Sequence, residues 1–132
     1  MITGEIYLFK DRLLLSDFKF PQPYLDLINN GLPDIDPWWW LALHKDSSQY
    51  WAETLQKQFP SRSLIPFAKD GGSDDVACFD GSDISGNPKV FVLHSFCSPG
   101  WEGRYEPSSF TDWFKKTESE ALEFKTEESS QK

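Results

Sequence analysis

The chain is predicted to be α+β: a central antiparallel sheet of about four to six strands flanked by helices, packed as one layered domain. Two observations carry this reading. Between residues 63 and 96 the apolar period is two, in three short runs (63–68, 75–80 and 89–96) separated by turns of Gly, Asp and Ser. The connections are too short for helical crossovers, so these strands form an antiparallel meander. On either side of that region the period lengthens to the helical one, around residues 24–28, 50–59 and 110–121.

The elements follow in order. Residues 4–9 are β-rich, whereas 11–15 would equally suit a short helix, so the topology before Pro21 stays open. Pro21 and Pro23 break the chain, and a short helix from Tyr24 ends at Asn29, Asn30 and Gly31, residue types that tolerate the left-handed conformation. A turn-rich link, 32–37, leads to Trp38, Trp39 and Trp40, which open a buried strand over 38–43. Residues 46–49 offer capping side chains to a helix over 50–59, with Ala52, Leu55 and Phe59 on one face. After the three central strands, a weaker one covers 101–105. Ser109 and Asp112 match a capping box for the last helix, whose inner face is Phe110, Trp113, Phe114, Thr117 and Ala121. Residues 1–125 form the domain, and 126–132, wholly polar and charged, read as a flexible tail.

Composition narrows the function. Acids outnumber bases by 21 to 13, for a formal charge of −8. Residues 1–66 hold eight acids and six bases, and residues 67–132 hold thirteen and seven. A field of that sign repels phosphate backbones and anionic lipid, which argues against direct nucleic-acid or membrane binding and for a basic protein partner. The same charge also serves solubility. No run reaches the length of a membrane span or a signal-peptide core, and Cys78 and Cys97 read as reduced, buried thiols, so a cytoplasmic location is expected.

Asp70, Asp74, Asp75, Asp80 and Asp83 fall within fourteen residues that contain no Lys or Arg. Hard cations favour such oxygen-rich turns, but the spacing departs from the EF-hand order, and turn-forming aspartates explain it better. An acidic rim facing a partner is the functional alternative. His94 and Cys97 supply one short spacing where zinc sites bring two, and apolar or acidic surroundings would not activate a cysteine. Glu102 and Glu106 do not make a glycosidase pair, and no phosphate loop, nucleophile elbow or metalloprotease helix occurs. The chain is therefore read as non-enzymatic, without catalytic residues, metal or cofactor. Residues 98–106 form a Gly- and Pro-containing loop that carries Trp101, Arg104 and Tyr105, types enriched at binding hot spots, beside Glu102. Asp74, Asp75, Asp80, Asp83, Trp101, Glu102, Arg104 and Tyr105 are thus the candidate partner-binding residues.

An ordered set of segments resembles a known family: Leu64-Ile65-Pro66-Phe67-Ala68 into Gly71-Gly72, Asp75-Val76-Ala77-Cys78-Phe79-Asp80, Val90-Phe91-Val92-Leu93, and Ser109-Phe110-Thr111-Asp112-Trp113-Phe114. With the Pro23–Gly31 helix before it, this order is similar to the core of the SUKH superfamily over about two thirds of the chain. The leading helix and the Asn-Gly-Gly of that family are not matched here, where Asn30-Gly31-Leu32 stands. The resemblance implies an α+β fold and a non-enzymatic role as a bacterial immunity protein, binding and neutralising a cognate toxin that is often a nuclease. The partner expected is a basic toxin protein, the chain itself being a monomer or a homodimer. The alternative is an intracellular scaffold or regulatory adaptor of the same fold with no toxin.

Overall fold

Proline, asparagine and glycine mark where the elements of this chain begin and end. The computed structural model describes residues 6–9, 17–95 and 103–130, without the side chains of Arg104 and of 124–130. Helix α1, Gln22–Asn30, takes Pro23 into its first turn, where no backbone N–H is needed, and stops at Gly31 with φ of 109°. Strand β1 is only Trp38–Trp40, because the chain then tightens into a 3-10 turn, Leu41–Leu43. Helix α2, Lys45–Gln58, starts before the serines expected to cap it. Ser48 lies inside that helix and donates instead to the Leu41 carbonyl at 2.5 Å, tying the helix to the 3-10 turn.

The meander follows as expected: β2 Leu64–Asp70, β3 Asp75–Asp80, β4 Val90–His94 and β5 Gly103–Tyr105. With β1 they form a five-stranded antiparallel sheet in the order β1-β2-β3-β4-β5. The last helix, α3, is Phe110–Ser130. Its first turn is capped by Ser109, whose Oγ accepts the Asp112 amide at 3.2 Å, while Ser108 rather than the Ser109 backbone donates to the Asp112 carboxylate. Its backbone stays helical through residues 126–130, where Glu127 and Glu128 are good helix formers.

Strand alternation sorts the core into two layers. One sheet face carries Trp38, Trp40, Ile65, Phe67, Ala77, Phe79, Val90 and Val92 against Tyr24 of α1 and Phe110 and Trp113 of α3. Its centre is aromatic: Phe67 stacks on Phe79 with centroids 4.2 Å apart, and Trp113 meets Phe67 edge-on at 4.8 Å. The other face carries Leu64, Val76, Cys78 and Leu93 against Trp51, Leu55 and Phe59 of α2. Most of the chain's rings are thus consumed in packing. Residues 6–9 run beside the 3-10 turn, the Tyr7 amide donating to the Ala42 carbonyl at 2.8 Å. The 11–15 stretch lies outside the described residues. No described helix is long and apolar enough to cross a membrane.

Candidate functional site

The register of the sheet decides which acids meet. Asp75 opens β3 and Asp80 closes it, five residues apart, so they lie about 17 Å from each other and on opposite faces. The fourteen-residue acidic run therefore does not make one patch. Asp70, Asp74 and Asp75 gather at the end of the sheet where β1 begins and β4 ends, and Asp80 and Asp83 sit at the other end.

At the first end, the turn between β2 and β3 is held by groups from elsewhere in the fold as well as by its own Asp70 carboxylate and Ser73 hydroxyl. Lys69 is 7% exposed, lies 5.3 Å from the Trp51 ring centroid, and donates to the Asp70 carbonyl at 2.6 Å and to the Ser73 carbonyl. Burial lowers its pKa, against the opposing pull of Asp74, Asp70 and Asp75. The Gly71 amide donates to the Pro37 carbonyl at 2.8 Å, and both the Ser95 amide and hydroxyl donate to the Asp74 carbonyl. Asp70 accepts the Gly72 amide at 2.9 Å. Asp75 Oδ1 lies 2.9 Å from His94 Nδ1, directly across the β3–β4 ladder. The Asp74 side chain is exposed and accepts no hydrogen bond among the described residues.

Helix α3 completes this end. Tyr105, opposite Val92 in the β4–β5 pair, is half-buried on the same sheet face as Asp70 and Asp75. Its hydroxyl pKa is pushed up to about 12, first by burial and then by the carboxylates of Glu120, Asp75 and Asp70. Lys116 reaches over its ring, 5.2 Å from the centroid, and pairs with Glu120 at 2.5 Å.

The far end spends its acids locally. Asp80 accepts from the Ser82 amide at 3.0 Å and the Ser82 hydroxyl at 2.6 Å. Asp83 accepts the amides of Ser85 at 3.0 Å and Lys89 at 3.1 Å, and its carboxyl is held low by the hydrogen bonds from Ser85, with Lys89 adding to them. These are the turn-forming aspartates that the composition suggests.

Of the residues singled out in the sequence, Asp75 and Tyr105 come together, Asp74 sits in the turn beside Asp75, Asp80 and Asp83 stand apart from them, Arg104 lies in β5, and Trp101 and Glu102 are outside the described residues. Glu120 and Lys116 belong to the first group and were not anticipated. They sit on α3 at a spacing of four, a pattern read only as a helix surface until β5 is placed beneath it.

Cys78 faces α2, on the opposite side of the sheet from His94, and burial pushes its thiol up, away from the thiolate, despite Arg62 nearby. Among the described residues no three His, Cys, Asp or Glu side chains are grouped to hold a metal. A concavity of about 220 Å³ is lined by Tyr7, Phe9 and, on α2, Gln49, Ala52, Glu53, Gln56 and Lys57, and shares no residue with the acidic end. Comparison with protein-family models, curated proteins and solved structures finds no match to this chain.

Proposed function

We propose that the protein is a non-enzymatic immunity protein that binds and neutralises a basic bacterial toxin, using the acidic end of its sheet. The observation that carries this reading is the gathering of Asp70, Asp75 and Glu120 around Tyr105, with Asp74 in the turn beside Asp75, from a hairpin turn, a strand and a helix. The turn is braced by Lys69, Pro37 and Ser95, so its acids are presented on fixed backbone. Preorganised charge steers a cationic partner to the site, and little loop entropy is lost on docking. A nuclease toxin suits this surface because its own substrate groove must be cationic. The resemblance to the SUKH superfamily supports the same assignment.

The test is co-expression with the product of the neighbouring open reading frame, scoring host growth and co-purification together. Rescue of growth with a stable complex is the expected result. A neighbouring product that is neither toxic nor bound would overturn the immunity reading.

A further inference from the structure

Away from the acidic end, we propose that the concavity between residues 6–9 and α2 is a binding site for a small planar aromatic carboxylate. Its size sets the scale of the ligand: about 220 Å³, against roughly 150 Å³ for a cavity that admits benzene and roughly 300 Å³ or more for clefts that take drug-sized molecules. A single or fused ring with one short substituent fits. The hollow exists because Ala52, 7% exposed, is the short residue on the lining face of α2. Gln49 stands one turn before it and Gln56 one turn after, so a methyl floor lies between two long side chains. The opposite wall is aromatic. Tyr7 and Phe9 meet with ring centroids 5.0 Å apart and planes at 70°, an arrangement that offers an incoming ring both a face and an edge.

That wall is held in place by the fold. The Tyr7 amide donates to the Ala42 carbonyl at 2.8 Å, and the Gln49 side-chain amide donates to the Tyr7 hydroxyl at 3.4 Å. Phe9 has φ of 56°, a left-handed conformation that is strained for a bulky residue, and strain of this kind gathers at ligand sites. Charge selects the sign of the ligand. In a chain of net charge −8, the surroundings of this hollow carry two ammonium groups. Lys57 lines it and forms no ion pair among the described residues, and Lys45 Nζ lies 5.7 Å from the Tyr7 ring centroid. Glu53 is the one acid among the described lining residues. A carboxylate on the ring's substituent pairs with Lys57 at the mouth, while the ring displaces water from the methyl floor and the aromatic wall.

The experiment uses the whole chain with ¹³C-methyl-labelled alanine, Ala68 and Ala77 in the interior of the sheet serving as internal controls. The probe is indole-3-acetate, with indole-3-acetamide as its uncharged counterpart and cyclohexylacetate as its non-planar one. A saturable shift of the Ala52 methyl, with Ala68 and Ala77 unmoved, is expected, and both comparison molecules should bind roughly fivefold more weakly or worse. Lys57→Gln should weaken the carboxylate to the level of the amide and leave the amide unchanged. Ala52→Leu, which fills the floor, should abolish binding of both, read on the ring signals of the probe. No saturable movement of Ala52, equal binding of acid and amide, equal binding of cyclohexylacetate, or a carboxylate affinity unmoved in Lys57→Gln would each overturn the site. Lys57 is exposed and its replacement does not touch the core, so the acid and amide comparison decides the matter even where the Ala52→Leu chain fails to fold. The titration needs no toxin, and the hollow shares no residue with the acidic end, so its outcome is separate from that of the immunity assignment.

Discussion

The turns at the two ends of β3 are built from the same residue types, aspartate, serine and glycine, yet they differ in how many of their carboxylates are spent on the turn. Beyond Asp80, the carboxylates of Asp80 and Asp83 satisfy the amides of their own turn. Before Asp75, the Asp70 carboxylate accepts the Gly72 amide, and the rest of the work of holding the chain falls to Lys69 from the sheet, Pro37 from the neighbouring link and Ser95 after β4. The Asp74 carboxylate is thereby spared any hydrogen bond among the described residues, while its carbonyl holds Ser95. A carboxylate spared by its turn can offer its charge to a partner, and one that caps the turn's amides cannot do so without loosening it.

Charge reversal tests this directly, and has the largest expected effect. Asp74→Lys with Asp75→Lys should slow association with a basic partner by about tenfold or more at low salt, the loss shrinking as salt is added. Asp80→Lys with Asp83→Lys should change association by no more than about threefold, but should lower stability by about 1–2 kcal/mol as the turn's hydrogen bonds are lost. Stopped-flow association and chemical denaturation on both pairs check the crossover. If both pairs slow binding equally, the two ends are not functionally distinct.

Glycine provides the second contrast. A Cβ at Gly71 would sit 2.9 Å from the Pro37 carbonyl, a backbone atom that also accepts the Gly71 amide, so the turn must move against its own brace. At Gly81 the closest obstacle is the Ser63 hydroxyl at 2.4 Å, which can rotate away, leaving the Ser63 carbonyl and Ile65 at 3.2 Å. Gly71→Ala should cost about 1–3 kcal/mol and Gly81→Ala less than about 1 kcal/mol. Thermal melts of the two variants, run side by side, decide the order.

How much of this was legible in the sequence follows from which interactions are local. The period-two runs and the Ser109 cap place β2, β3, β4 and the start of α3, because strand alternation and capping act over a few residues. Cys78 as a small core residue was readable for the same reason. The acidic run was misleading in a specific way: closeness in sequence suggested one rim, and the length of β3 separates its halves by about 17 Å. Lys69 carries no local signal of burial, and only the docking of α2 places Trp51 over it. Glu120 joins Tyr105 through the packing of α3 on the sheet, a contact between distant segments that no local pattern encodes. Ser47 and Ser48 resemble caps, but the 3-10 turn before them offers a buried carbonyl that competes for Ser48.

The smallest effect is the pH dependence at the far end. The Asp83 carboxyl is held below its ordinary value in the folded chain, chiefly by the hydrogen bonds from Ser85. A depressed carboxyl contributes stability that is present above the unfolded pKa and is lost as pH falls through the folded one. The unfolded chain takes up the proton first, so the loss begins as pH drops below about 4–5 and grows toward lower pH. Because Asp83 is close to solvent, screening limits the contribution to a few tenths of a kcal/mol. Asp83→Asn should flatten that part of the stability curve while keeping one acceptor for the turn, and leave partner association near wild type. Asp74→Asn should do the reverse at neutral pH, weakening association with stability unchanged within about 0.5 kcal/mol, since its side chain braces nothing in the turn. Should Asp74→Asn instead destabilise the fold by more than about 0.5 kcal/mol, the spared carboxylate has a structural task, and the division between the two ends would have to be redrawn around Asp75 and Glu120.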